Sequence, residues 1–226
     1  ELMRIDRPVG TLLLLWPTLA ALWIAADGLP PTPVVAAFIV GTFVMRAAGC
    51  VINDFVDRNV DPLVERTRNR PLADGRVHPA EALVLFAFLA LIALGVVWSL
   101  NTTTRWMGVA GILIASIYPL MKRYTYLPQV VLGVAFSWGI PMAATATTES
   151  VEQVVWLYFV ASVFWIVAYD TLYAMVDRDD DIKAGIKSTA ILFGENDRLI
   201  VGVLQATVVV LLVLLGRERE FAHVYY

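Results

Sequence analysis

Seven long apolar segments constrain this chain more than any other feature. They run roughly over residues 9–26, 33–52, 80–100, 106–121, 128–147, 151–176 and 198–216. Most approach the ~20 apolar residues that a helix needs to cross the hydrocarbon core of a bilayer. The chain has 226 residues, of which 59% are apolar and only 16% charged. A soluble domain carries nearer a quarter charged residues. The expected fold is an all-α integral membrane protein, one domain over 1–226 with seven transmembrane helices in a bundle. Pro17, Pro119 and Pro141 fall inside the segments and are expected to kink or end helices. Neighbouring helices can satisfy the backbone groups that such breaks free.

The first segment lacks a small-residue cleavage site and carries Trp16-Pro17 at its middle, so it reads as a span rather than a signal peptide. The sequence starts at Glu1 and stops at Tyr225-Tyr226, and is expected to be part of a longer chain.

Basic residues fall in alternate connections. Arg4 and Arg7 precede the first segment. Arg58, Arg66, Arg68, Arg70 and Arg76 follow the second, Lys122 and Arg123 the fourth, and Arg178, Lys183, Lys187 and Arg198 lie between the sixth and seventh. Lys and Arg are retained on the cytoplasmic side of membranes, which puts the N-terminus and these loops there. Arg105, alone between the third and fourth segments, and Arg217 and Arg219, each beside a glutamate, break the pattern. Cys50 is the only cysteine and His78 and His223 are far apart, so neither a disulfide nor a zinc site is expected.

The cytoplasmic loops also hold two acid clusters, Asn53-Asp54-x-x-Asp57-x-x-x-Asp61 and Asp170-x-x-Tyr173-x-x-x-Asp177-x-x-x-Asp181. Carboxylates near hydrocarbon are costly and usually meet a cation. If the second helix continues through its cluster, Asp54, Asp57 and Asp61 share a face, as do Asp170, Tyr173, Asp177 and Asp181. Two such faces opposed in a bundle make an acidic cavity. Carboxylate and amide oxygens suit Mg²⁺, Mn²⁺ or Ca²⁺, and Mg²⁺ usually completes its shell with water and substrate phosphate. Arg66, Arg70, Lys122, Arg123, Lys183 and Lys187 on the same side fit a phosphate-bearing substrate. Arg46, inside the second apolar segment, calls for a buried anionic partner. Adding 116 to Asp54, Asp61 and Glu65 gives Asp170, Asp177 and Asp181, which suggests two pseudo-repeated four-helix units related by an axis along the membrane normal.

Neither a phosphate-binding Gly-x-x-x-x-Gly-Lys loop nor a Gly-x-Ser-x-Gly elbow occurs. The Asp-Gly-x-x-Ala-Arg opening of CDP-alcohol phosphotransferases is also missing. A cation transporter would place its acids at midplane, whereas these sit at helix ends beside arginines.

At the acid clusters the chain resembles the UbiA superfamily of intramembrane prenyltransferases. The resemblance extends through Arg46-Ala-Ala-Gly-Cys-Val-Ile-Asn-Asp, Arg66-Thr-Arg-Asn-Arg-Pro-Leu, Tyr118-Pro-Leu-Met-Lys-Arg-Tyr-Thr, Pro128-Gln-Val-Val-Leu-Gly and Gly185-Ile-Lys-Ser-Thr-Ala-Ile-Leu-Phe-Gly. These segments are similar to the bacterial branch that prenylates 4-hydroxybenzoate. The resemblance implies nine helices in the full chain, with the last two missing here. It implies transfer of a polyprenyl group from a polyprenyl diphosphate to the ring carbon ortho to the hydroxyl of 4-hydroxybenzoate, in ubiquinone biosynthesis at the bacterial inner membrane. Other acceptors of the superfamily, such as dihydroxynaphthoate or haem, are the nearest alternative. Asn53, Asp57, Asp177 and Asp181 would hold Mg²⁺, and Asp54, Asp61 and Asp170 would hold metal-bound water or orient ligands. Arg66, Arg70 and Lys122 would meet phosphate, and Lys187 would add to the substrate-binding charge. Arg123 would take the benzoate carboxylate, with Arg46 or Arg4 as alternatives, and Tyr118 and Tyr173 would shield the allylic cation. The bilayer is the expected surrounding, with no nucleic acid and no obligate protein partner.

Overall fold

The computed structural model describes residues 1–225. It contains α1 (Val9–Ala26), α2 (Thr32–Asp57), α3 (Pro79–Trp98), α4 (Thr102–Tyr124), α5 (Pro128–Ser137), α6 (Gly139–Thr148), α7 (Gln153–Ala184), α8 (Thr189–Phe193) and α9 (Asp197–Glu218). No strand occurs among the described residues. Seven stretches are long and apolar enough to cross a membrane, with α5–α6 and α8–α9 each making one.

Local chemistry sets the ends. Asn101 caps α4 by accepting from the Thr104 N–H at 2.8 Å. His78 and Glu81 form a capping box around Pro79, which gives α3 a sharp start. Gly185 takes φ 68° after α7, a left-handed stop that costs a glycine little. Pro17 and Pro119 are carried inside α1 and α4. Pro141 coincides with a break: it has no N–H for the Ser137 carbonyl, and α5 gives way to α6 at Trp138.

The acids prompt one correction. Helix α7 runs unbroken through Asp181, as the one-face reading requires. Helix α2 stops at Asp57, and Asp61 opens a 3-10 turn, Asp61–Leu63. Pro62 explains the stop, because it cannot donate to the Arg58 carbonyl and its ring disfavours a helical residue before it. Asp61 therefore reaches the site from the loop rather than from the α2 face.

The repeat is visible in the helices. The starts of α5, α7 and α9 follow those of α1, α2 and α3 by 119, 121 and 118 residues. The acid-bearing α2 packs on α1 and α3, and the acid-bearing α7 packs on α5 and α9. Helices α1 and α6 join the two units. Leu22, Phe38, Ile140, Val155 and Leu215 fill the core between them. Interhelical hydroxyl contacts add to it, including Ser137 to Ser162 at 2.9 Å and Thr171 with Thr189 at 2.7 Å.

Gly133 lets α5 lie directly on α7. A Cβ there would stand 3.0 Å from the Val163 carbonyl oxygen and 3.3 Å from the Val167 side chain. Backbone cannot yield as a side-chain tip can. Gly133→Leu is expected to destabilise the protein by about 1–3 kcal/mol, read as a lower thermal midpoint in detergent.

Candidate active site

Asp54 and Asp57 lie in the last turn of α2 and are each 1% exposed. Arg4, from the segment before α1, donates to Asp54 Oδ1 at 2.5 Å. Arg70 Nη1 stands 3.1 Å from the same oxygen and donates to both oxygens of Asp61, at 3.0 and 2.8 Å. One guanidinium thus ties the loop acid to the helix acid. Burial pushes the Asp61 carboxyl above its ordinary range; Arg70 pulls it back, and Asp57 and Asp54 push it further up. The Lys122 ammonium, at the end of α4, holds Asp57 Oδ2. Asp57 Oδ1 is buried and has no hydrogen-bond partner.

The second acid face lies opposite. Arg66 crosses from the α2–α3 loop to Asp177 on α7, with Nε at 3.0 and 2.9 Å from the two oxygens and Nη2 at 2.5 Å from Oδ2. This two-pronged grip holds the Arg66 guanidinium charged above its usual range, burial opposing it. The same loop is fastened again where the Glu65 N–H donates to Asp180 at 3.3 Å. Asp181 is buried near the end of α7. Tyr118 on α4 lies within electrostatic range of Asp57 and Asp170, one acid from each cluster.

Other expected site residues are placed differently. Arg123 is exposed and donates to the Val56 carbonyl at 3.3 Å. Lys187 turns to the end of α4: its ammonium donates to the Tyr124 carbonyl at 3.3 Å and sits 5.4 Å from the Tyr126 ring centre. Its backbone N–H donates to the Lys122 carbonyl at 2.9 Å. That arrangement suits a cation at a helix C-terminus and supports Lys122 from behind. Tyr173 is half exposed, and its hydroxyl pairs with that of Tyr169 at 3.3 Å. Asn53 is half-buried beside Asp54. Arg46 joins no ion pair among the described residues, and its Nε is buried without a partner.

Two positioning residues escape the sequence reading. Asp180 looks like one more solvated acid in the run Asp179-Asp180-Asp181. Gln129 is buried and accepts from the Thr189 N–H at 3.0 Å, tying α5 to α8. A lone amide at the start of an apolar segment was its available signal.

Among the described residues, no three acidic, His or Cys side chains converge on one point. The donors nonetheless fit a hard divalent cation. They are all oxygens, and the orphan Oδ1 of Asp57 is a buried acceptor in want of a positive partner. The acids and the cations together suit a polyanionic ligand with a metal counterion.

The profile of the UbiA prenyltransferase family matches residues 14–225. The chain is 59% identical over 226 residues to the 4-hydroxybenzoate octaprenyltransferase of Enterobacter sp. (strain 638), covering all of this chain and 78% of that one. It is 55% identical to the protein of the same name from Psychromonas ingrahamii, covering all of this chain and 79% of the relative. Among solved structures, a UbiA homolog from Aeropyrum pernix K1 in its apo form matches with a TM-score of 0.86 at 25% identity, over 97% of this chain and 82% of that chain. A UbiA homolog from Archaeoglobus fulgidus bound to GPP and Mg2+ shares the fold, with a TM-score of 0.69 at 19% identity, over 92% and 78%.

Proposed function

This chain belongs to the UbiA prenyltransferase family, and on that premise we propose that it joins a polyprenyl group to 4-hydroxybenzoate, ortho to the hydroxyl, in ubiquinone biosynthesis. The observation that carries the reading is the pair of acid clusters at the ends of α2 and α7, the first held by Arg4, Arg70 and Lys122 and the second by Arg66, which crosses from the α2–α3 loop. Its proposed setting is the bacterial inner membrane with the site toward the cytoplasm, supported by the basic loops gathered at that end.

Asn53, Asp57, Asp177 and Asp181 would hold Mg²⁺. When bound, the metal would neutralise the diphosphate and make it a better leaving group. Arg66, Arg70 and Lys122 bind phosphate oxygens and stabilise the charge that develops as the allylic C–O bond breaks. Asp54 and Asp61 keep Arg70 aimed, Asp177 does so for Arg66 and Asp57 for Lys122, and Asp170 would orient ligands or metal-bound water. Tyr118 and Tyr173 present ring faces to the allylic cation. The apolar walls keep out water that would trap it. The ring carbon ortho to the phenol oxygen attacks, and inorganic diphosphate and one proton leave.

For the acceptor's carboxylate, Arg46 is better supported than Arg123. Arg46 has a buried, unpartnered Nε, whereas Arg123 is exposed and spends a donor on a backbone carbonyl. Arg46→Ala is expected to raise the acceptor KM by roughly 10- to 100-fold, the loss of one charged hydrogen bond. Arg123→Ala is expected to raise it less than about threefold. Steady-state kinetics with varied 4-hydroxybenzoate separates the two.

The direct test is the product mass from the purified full-length protein with Mg²⁺, 4-hydroxybenzoate and prenyl diphosphates of several lengths. A product equal to acceptor plus prenyl group is expected. Prenylation of dihydroxynaphthoate but not of 4-hydroxybenzoate would replace the acceptor.

A further inference from the structure

The Arg46 guanidinium occupies room that a glycine leaves open. It lies against the first turn of α1, over the bare Cα of Gly10. A Cβ at that position would come within 2.6 Å of Arg46 Nε and 2.9 Å of Cζ. Such approaches are far inside van der Waals contact, so any side chain at residue 10 evicts the guanidinium. The remaining charges give Arg46 nowhere better to go. Asp54 already faces Arg4 and Arg70, and Arg70 is shared with Asp61. Arg46 is therefore the surplus cation at this end of α2.

We propose that Gly10 is a specificity-determining position: its missing side chain forms the seat that holds Arg46 where it meets the acceptor's carboxylate. The inference rests on the reading of Arg46 given above. It differs from an ordinary packing role in a measurable way. The obstructed group is the tip of a flexible side chain, so the helices need not move apart. Alanine is also the better helix former. Gly10→Ala thus redirects a charge at little cost to the fold.

The test uses the full-length protein with Mg²⁺ and a prenyl diphosphate, varying 4-hydroxybenzoate or its uncharged methyl ester. Gly10→Ala is expected to raise the KM for 4-hydroxybenzoate about tenfold or more. The KM for the prenyl diphosphate, the KM for the ester and the thermal midpoint are expected to stay near wild type. Added to Arg46→Ala, the same change is expected to contribute nothing further, since the two act through one group. An unchanged acceptor KM in Gly10→Ala, with Arg46→Ala raising it, overturns the role of Gly10 alone. A normal KM in Arg46→Ala overturns the carboxylate reading itself, and the Gly10 role with it. Parallel losses for both substrates with a lowered midpoint overturn the proposal in favour of packing. Should Gly10→Ala alone not fold, the double variant lacks the clash and is expected to fold; its failure also overturns the proposal.

Discussion

Asp57→Ala is expected to abolish prenyl transfer, with kcat/KM falling by about 10³-fold, in the range for removing a group that organises transition-state charge. The size of the effect follows from two roles in one side chain. Asp57 Oδ2 holds the Lys122 ammonium, and Oδ1 is buried without a partner, the atom proposed to meet a metal. Alanine removes both, and Lys122 is left in a partly buried place without its counterion. Removing one partner of a buried pair is far more damaging than replacing both. Stability must therefore be measured beside activity. Asp57→Asn also removes the counterion of Lys122 but keeps the shape and an oxygen that can accept from it, so it is expected to fold with a midpoint lowered less than that of Asp57→Ala and still be inactive. A folded Asp57→Asn protein with more than about a tenth of wild-type activity would remove Asp57 from the chemistry.

Stripping divalent cations is expected to be as severe. With a chelator in excess, transfer falls to background, and Mg²⁺ added back restores it. The reason is electrostatic. Diphosphate brings several negative charges to a site already lined by Asp54, Asp57, Asp61, Asp170, Asp177 and Asp181, and the four cations paired there, Arg4, Arg66, Arg70 and Lys122, do not balance that total. A thermal readout separates binding from chemistry. Mg²⁺ and a prenyl diphosphate together are expected to raise the midpoint more than either alone, because ligands that bind the native state stabilise it. Full prenylation in metal-free buffer would eliminate the metal from the reading.

Much of this was legible in the sequence because the bilayer leaves little freedom. A segment of ~20 apolar residues has one stable conformation there, and the seven expected spans match the seven found. Helices α2 and α7 outrun their apolar stretches by several residues, since acids on an amphipathic end continue a helix as readily as valines do. Asp61 was harder. Its spacing from Asp54 fits a helix, and only the clash at Pro62 removes it from that face. Lys187 was hardest to place, because its use depends on where α4 ends in space. The ion pairs had no sequence signal at all. Arg66 and Asp177 are 111 residues apart, and Lys122 and Asp57 are 65 apart, so only the packed bundle selects them. Gly10 and Arg46 meet for the same reason.

The grip of Arg66 on Asp177 also gives the molecule a polarity that its repeated architecture lacks. Shifting Arg66 and Arg70 by the 116-residue repeat lands on Ile182 and Ile186. The first unit brings acids and guanidinium arms; the second brings acids and receives one of those arms. Equivalent halves would offer an extended reactant two interchangeable orientations. Under the proposed chemistry these unequal halves would offer a head-binding side and a complementary one, so a scaffold close to twofold in its helices could hold a substrate whose two ends are nothing alike.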